Sequence, residues 1–296
     1  MKYIFILNPK AGEGKARDRL EQDLKSVKQE LDYETYFTTC AGDATKFVSS
    51  YCKDIKEETC FVACGGDGTV NEVASGLVGC DKAYLAILSY GSGNDYIKYY
   101  KDRDFTSVDK LINGTRDKVD ILKVNDKYSI NVCNFGFDSV VGSTANKVKE
   151  KNGKNPYVKG VVKAIFTARY NKIKVVVDGE EISKKRMLLC TLANGNYVGG
   201  QYQCAPKSIN NDGLIDVCLF HTMSLFSFLK LLKPYTNGQH LDDPRFAKRV
   251  VYRRAKHVAV SSTKEIELCL DGEMLKGTSF SIDILPQAVN FIIPKA

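Results

Sequence analysis

Residues 59–77 read Thr59-Cys-Phe-Val-Ala-Cys-Gly-Gly-Asp-Gly-Thr-Val-Asn-Glu-Val-Ala-Ser-Gly-Leu77, an apolar run that halts at glycines and resumes with helical spacing. The run from Cys60 to Cys64 has the length and character of a buried strand. Val70, Val73, Ala74 and Leu77 then share one face of a helix. Between them lies the loop Gly65-Gly66-Asp67-Gly68-Thr69. Its glycines let the backbone take positive φ and approach a ligand closely, while the free N–H groups and positive end of the next helix favour an anion. Polyphosphate is the natural candidate. Asp67 does not suit a loop built only for anions, because a carboxylate repels phosphate unless a divalent cation lies between them. Mg2+ with a nucleotide is therefore the economical reading. Ordinary strand–turn–helix connections also use Gly and Asp, so the loop needs support from the rest of the chain.

The 296 residues are 44% hydrophobic and 26% charged, enough for two modest domains with a sizeable core. The ten cysteines are scattered without a CxxC pair, and only three histidines accompany them, so reduced core thiols fit better than a metal or disulfide framework. No run reaches the roughly 18 apolar residues of a membrane span, and the apolar start at residues 3–7 is too short for a signal peptide. A cytoplasmic protein is expected. The net charge of +8 is concentrated in residues 147–174 and 248–256, which read as solvated faces or as contacts to an anionic membrane. No nucleic-acid-binding motif accompanies the charge, and nucleic acid is not an expected partner.

Residues 3–7 form a first buried strand, followed by the loop Asn8-Pro9-Lys10-Ala11-Gly12 and a helical pattern at Ala16, Leu20, Leu24, Val27 and Leu31. The loop lacks the Gly-Lys-Ser/Thr ending of a P-loop. Residues 33–39 give a second strand, and Gly42-Asp43-Ala44-Thr45 opens a helix with Asp43 as its N-cap candidate. Residues 84–89 form a fourth strand that ends at Gly91-Ser92-Gly93-Asn94-Asp95. Loops at the carboxyl ends of parallel strands converge, so residues 8–12, Thr38, 65–69 and 91–95 could line one nucleotide site.

From residue 118 the pattern changes to alternation, with hairpin turns at Asn125-Asp126 and Asp178-Gly179. Strands are expected at 187–193, 214–221, 257–261, 266–270 and 280–285, and helices at 136–146 and 158–170. Residues 223–233 read as a helix stopped by Pro234, apolar on more than one side, which fits core packing better than a lipid-facing lid. The expected fold is an α/β nucleotide-binding domain with a parallel sheet over residues 1–124, completed by 284–296, and a mainly antiparallel β-sandwich over 125–283.

The run Gly-Gly-Asp-Gly-Thr-Val-Asn-Glu at 65–72 resembles the signature of the diacylglycerol kinase catalytic-domain family, which takes in bacterial soluble lipid kinases and sphingosine-kinase-like enzymes. NAD kinases and phosphofructokinases are its more distant kin. Further elements of that family's pattern follow in order: the first loop at 8–12, Gly42-Asp43-Ala44, Gly91-Ser92-Gly93-Asn94-Asp95, Asn134-Phe-Gly136-Phe-Asp138, and Asn194-Gly195 with Gly199-Gly200. Asn211-Asp212-Gly213-Leu214-Ile215-Asp216 and Asp271-Gly272-Glu273 complete the set. Ser89 and Tyr90 depart from the usual Ile/Pro, and Tyr96-Ile97-Lys98 departs from Phe-Ala-Arg.

The resemblance implies an ATP- and Mg2+-dependent lipid kinase that phosphorylates the hydroxyl of diacylglycerol or a related lipid. Asn8, Pro9, Lys10, Ala11, Gly12, Thr38, Gly65, Gly66, Asp67, Gly68, Thr69, Asn71, Glu72, Gly91, Ser92 and Asn94 would bind ATP. Asp67, Asp95 and Asp120 would organise Mg2+, while Asp212 with the carbonyls of Ile209 and Leu214 would hold a structural Mg2+. Glu273 would be the general base, with Asp271 orienting it or shaping its turn. Peripheral association with the inner face of the membrane is implied, and a homodimer is compatible. An NAD kinase-like enzyme and a non-catalytic nucleotide- or lipid-binding regulator are the alternatives.

Overall fold

The computed structural model describes residues 1–27, 29–136, 173–183 and 186–296. The chain divides into two compact units, one of Met1–Ile121, Asn210–Asp212 and Leu285–Ala296, the other of Leu122–Ile209 and Gly213–Ile284. In the first unit the elements run β1 (Lys2–Leu7), α1 (Ala16–Lys25), β2 (Tyr33–Phe37), α2 (Asp43–Lys53), β3 (Thr59–Gly65), α3 (Asp67–Leu77), β4 (Ala83–Ser89), α4 (Val108–Ile112) and β5 (Thr115–Val124), the last of which continues into the second unit. The sheet order is β4-β3-β1-β2, every pairing parallel. Both faces of β3 are buried, as a parallel strand under helices on either side requires, and this is why residues 59–65 read as a continuous apolar run. Phe5, Leu7, Val62, Cys64, Ala86 and Leu88 pack one side of the sheet against Ala16 and Leu20 of α1.

Two local expectations are corrected. The helix at α1 ends at Lys25, although the apolar spacing continues to Leu31. Both the N–H and the hydroxyl of Ser26 donate to the Asp23 carbonyl and close the last turn, while Val27 and Leu31 still pack partly buried against the core. Asp43 is the first residue of α2 rather than its cap. Gly42, at φ 78°, occupies the cap. The Asp43 carboxylate instead accepts from the Thr39 N–H at 2.7 Å, the Thr39 hydroxyl at 2.8 Å and the Tyr36 hydroxyl at 3.0 Å.

In the second unit come β6 (Lys127–Ser129), β7 (Val132–Gly136), β8 (Lys174–Val177), β9 (Glu180–Glu181), β10 (Met187–Ala193), β11 (Ile215–His221), α5 (Leu225–Thr236), β12 (Val250–Ala255), β13 (His257–Leu270) and β14 (Glu273–Ile293). All pairings here are antiparallel, in the order β12-β11-β10-β7-β13-β14, with β8 also on β13. The hairpin turns fall at Asn125 and at Asp178-Gly179, with Asn125 at φ 53° and Asp178 at φ 45°. The expected helices at 136–146 and 158–170 lie outside the described residues, apart from Gly136, which ends β7. So does the basic stretch up to Lys172.

The strands expected at 257–261 and 266–270 form one strand, β13, whose register shifts between Ser261 and Ile266. Its first half pairs with β8 and its second half with β7, so one strand serves both parts of the sandwich. Likewise β14 runs from Glu273 to Ile293, and its end enters the first unit, where Asn290 and Phe291 pair in parallel with Tyr84 and Leu85 of β4.

Strands β10 and β11 are buried on both faces. Cys190, Leu192, Val217 and Leu219 point into the sandwich core, whereas Leu189, Ala193, Cys218 and Phe220 meet Phe228, Leu231 and Tyr235 of α5. The helix therefore covers the outer face of this sheet. Phe228 and Leu231 each contribute about 1.5–3 kcal/mol by leaving water. Pro234 does not stop the helix, contrary to the sequence reading. It falls in the last turn, where its missing N–H forfeits a single bond to Lys230, a residue on the exposed side.

Asp216 of β11 is wholly buried, accepting from the Tyr252 hydroxyl with the Arg254 Nε at 3.9 Å. Burial pushes its carboxyl from 3.8 up to about 6, against the hydrogen bonds from Tyr252 and Ser208. A folded-state value above the unfolded one means that the native protein holds the proton more tightly. The contribution is full below the unfolded value and is lost as pH rises through about 6. Asp216→Asn should raise stability at neutral pH by on the order of 2 kcal/mol and flatten the decline that runs from 3.8 to about 6, as measured by urea unfolding.

Candidate nucleotide site and the second-unit turn

In the first unit three loops meet at the carboxyl ends of β1, β3 and β4. The Gly65 carbonyl accepts from the N–H groups of Tyr90 at 3.2 Å and Gly91 at 3.0 Å, which stitches the β3 loop to the β4 loop. The two backbones touch so closely that a Cβ on Gly91 would stand 2.3 Å from the Gly66 Cα. No side chain but hydrogen fits there. The β1 loop joins them at Tyr90, whose carbonyl lies 3.4 Å from where a Cβ on Gly12 would be. Within that loop the Asn8 side chain accepts from the Lys10 N–H at 3.0 Å and its carbonyl from the Ala11 N–H at 2.9 Å. Thr38 donates from both its N–H and its hydroxyl to the Leu7 carbonyl, at 3.0 and 3.4 Å.

Asp67 begins α3, and its Oδ1 accepts from the N–H groups of Asp95 at 2.5 Å and Tyr96 at 3.4 Å. Its Oδ2 lies 2.6 Å from where a Cβ on Gly93 would be, so the third residue of Gly91-Ser92-Gly93 must also be small. Burial and the neighbouring Asp95 carboxylate raise the Asp67 carboxyl above its ordinary range, and the two backbone N–H groups hold it down. Asp95 is buried and takes the Lys98 ammonium on Oδ1 at 2.5 Å. Asn94, at φ 50°, donates to the Gly91 carbonyl at 2.8 Å and so closes the turn that presents Asp95. No side chain caps the N-terminus of α3, and Gly68 there faces open space. Backbone donors at a helix start suit a phosphate, and two acids beside them suit one only when a cation accompanies it.

The other expected site residues divide. Ser92 is exposed on the β4 loop, and Thr69 is buried, its hydroxyl where a Cβ on Gly65 would go. Asn71 is buried along α3. Glu72 faces α2 instead of the loops, its carboxylate accepting from the Ala44 N–H at 3.2 Å. Asp120 is wholly buried on β5, where Oδ1 accepts from the Gln287 N–H at 2.7 Å and its own N–H donates to the Asn210 carbonyl at 2.8 Å. Asp212 belongs to the short piece Asn210–Asp212, which Asn210 ties to the hydroxyls of Tyr96 at 3.1 Å and Tyr100 at 2.7 Å. Ile209 and Leu214 belong to the second unit. Among the described residues no three His, Cys, Asp or Glu side chains gather as a metal cluster. The acids therefore fit Mg2+ only as an ion that keeps waters and shares phosphate oxygens, for which one or two carboxylates suffice.

In the second unit Asp271 and Gly272 form a tight turn at φ 45° and 92°, joining β13 to β14. The Asp271 carboxylate accepts from the Ser129 hydroxyl at 2.8 Å and from the N–H groups of Asn131 at 3.2 Å and Val132 at 2.8 Å. It is fixed by donors on three residues. Glu273 is exposed, with the Lys127 ammonium at 4.0 Å. Sequence reasoning overlooked Lys98 as partner of Asp95, although its spacing of three residues within a turn is a usable signal.

A model of the diacylglycerol kinase catalytic domain matches residues 2–124, and one of the YegS C-terminal NAD kinase beta sandwich-like domain matches residues 131–293. The diacylglycerol kinase of Bacillus subtilis (strain 168) is 30% identical, over 98% of this chain and 96% of its own. The chain belongs to the diacylglycerol kinase family. A diacylglycerol kinase of Staphylococcus carnosus (strain TM300) is 27% identical over 91% of this chain and 87% of its own. The crystal structure of a diacylglycerol kinase from Bacillus anthracis str. Sterne aligns with 99% of the chain and 96% of its own at a TM-score of 0.73 and 21% identity, a likeness of fold. Members of this lipid kinase family are phosphotransferases, and this chain carries both of their domains.

The Gly66–Gly91 contact yields a direct test. Gly91→Ala must push the two loops apart, so unfolding stability should fall by about 1–3 kcal/mol and ATP affinity should fall with it. Urea unfolding and calorimetric titration with ATP measure the two effects.

Proposed function

We propose that this lipid kinase transfers the γ-phosphate of ATP to the hydroxyl of diacylglycerol or a related lipid, giving phosphatidic acid or its equivalent. The observation that carries the reading is Asp67, a carboxylate held by two backbone N–H groups at the uncapped start of α3, beside Asp95 and between glycine loops. The backbone of residues 8–12, 65–69 and 91–94 binds and orients the phosphates. Mg2+, when bound with the nucleotide, supplies the positive charge that lets phosphate lie beside Asp67 and Asp95. Asp120 and Asp212 have their part as acids that orient its waters or a structural ion. The lipid hydroxyl oxygen forms a bond to the γ-phosphorus as the bond from that phosphorus to the β–γ bridging oxygen breaks. ADP leaves with the electron pair, and the hydroxyl proton passes to the Glu273 carboxylate. Asp271, saturated with donors, is the positioning residue that fixes the turn bearing Glu273.

The enzyme works in the cytoplasm as a peripheral protein at the inner face of the membrane. None of the ten cysteines is joined in a disulfide, which suits a reducing compartment. No helix among the described residues is long and apolar enough to cross a membrane.

Asp67→Ala should lower kcat by on the order of 10²-fold or more while the protein stays folded, since the charge beside the phosphates is then misplaced. Near-wild-type turnover at saturating Mg2+ would defeat the assignment. Glu273→Gln should leave ATP affinity almost unchanged and lower kcat by on the order of 10²–10⁴-fold. Turnover that survives Glu273→Gln but is lost in a well-folded Asp271→Asn would move the base to Asp271. ADP release on mixed micelles of diacylglycerol, monoacylglycerol, sphingosine or ceramide, with NAD as control, separates lipid kinase from NAD kinase. No ADP with any acceptor would favour a binding regulator.

A further inference from the structure

Seven large apolar side chains stand exposed among the described residues, and three of them, Phe226, Leu229 and Leu232, lie within two turns of α5. Phe226 is 68% and Leu229 53% exposed. A surface helix over a folded sheet ordinarily keeps its apolar side for the core and gives water its polar side. Here the core side is already supplied by Phe228, Leu231 and Tyr235. Helical spacing places Phe226, Leu229, Lys230 and Lys233 on the opposite side. The helix contains no carboxylate, and the Lys230 ammonium stands 4.1 Å from the Phe226 ring centroid. At its N-terminal approach the Arg249 guanidinium donates to the Thr222 carbonyl at 2.6 Å, and exposed Lys248 adjoins it in sequence. The acids after the helix are balanced, Asp242 by Lys207 and Asp243 by Arg245, each at 2.5 Å.

We infer that this outward face of α5 is a membrane-docking surface for an anionic bilayer. Phe226 and Leu229 enter the boundary between headgroups and acyl chains, while Lys230 and Lys233 keep their ammonium groups at the anionic headgroups. Charge complementarity selects this occupant. The face offers apolar side chains and cations without a single acid, whereas a protein interface of this size would ordinarily carry paired charges of both signs. Anchoring of the inner side in the sheet core lets the helix bear on a membrane without unfolding. The inference rests on the lipid-kinase reading above and adds to it the surface by which the enzyme reaches its substrate.

Flotation with vesicles of equal parts phosphatidylglycerol and phosphatidylcholine, and with phosphatidylcholine alone, tests it on the full chain. Phe226→Gln with Leu229→Gln, which keeps helix propensity and disturbs no core residue, should lower partition onto the mixed vesicles by on the order of 10-fold or more. Lys230→Gln with Lys233→Gln should abolish the preference for mixed over neutral vesicles and the loss of binding with added salt. Turnover of a short-chain diacylglycerol dissolved as monomers should be unchanged in both variants. Wild-type partition by the first variant, or a concentration-dependent dimer that the first variant abolishes in place of vesicle binding, would overturn the inference. Vesicle binding that depends on α5 in a protein that turns over no lipid would uphold it and overturn the kinase reading instead.

Discussion

The contact on which the first unit depends is the one between the backbones of Gly66 and Gly91, at a separation that leaves no room for a side chain. It draws the ends of β3 and β4 together, and with them the two acids. Once Gly65 has accepted the N–H groups of Tyr90 and Gly91, the β4 loop passes over the start of α3, and the Asp95 and Tyr96 N–H groups reach Asp67. Burial and Asp95 raise that carboxyl above its ordinary range, and the two backbone N–H groups oppose the rise.

Much of this was legible in the sequence, because glycine spacing and strand–loop–helix periodicity carry the information. The central loop, the parallel order of the first half and the antiparallel second half all follow from local pattern. The site's finer assignments do not. Glu72 sits one helical turn beyond the loop, and only the close packing of α2 on α3, with Gly76 against Val48 and the Thr45 carbonyl, turns its carboxylate to Ala44. Asp271 reads as a candidate acid, yet its three donors come from residues about 140 positions earlier in the chain. Long-range partners of that kind leave no trace in spacing.

The strand merging has a similar cause. Polar residues between Ser261 and Ile266 suggest a break, but the ladder absorbs the irregularity as a shift of register. In β14, Pro286 and Gln287 interrupt the alternation. Gln287 takes φ 50° and gives its N–H to Asp120, so the interruption becomes the support of a buried acid. Helix α5 shows the opposite limit: its apolar residues on two sides could not be divided between core and surface until the sheet beneath was known, and the outward set was then left over.

On the proposed function, Asp67 makes nucleotide binding conditional on a divalent cation. Calorimetric titration of ATP into the wild-type chain and into Asp67→Asn, each with Mg2+ and with the metal chelated, measures it most directly. The wild type should bind ATP strongly only with Mg2+, whereas Asp67→Asn, relieved of the like charge, should bind metal-free ATP as well as or better than the wild type and lose most of the metal's effect. An unchanged dependence on Mg2+ in Asp67→Asn would contradict it.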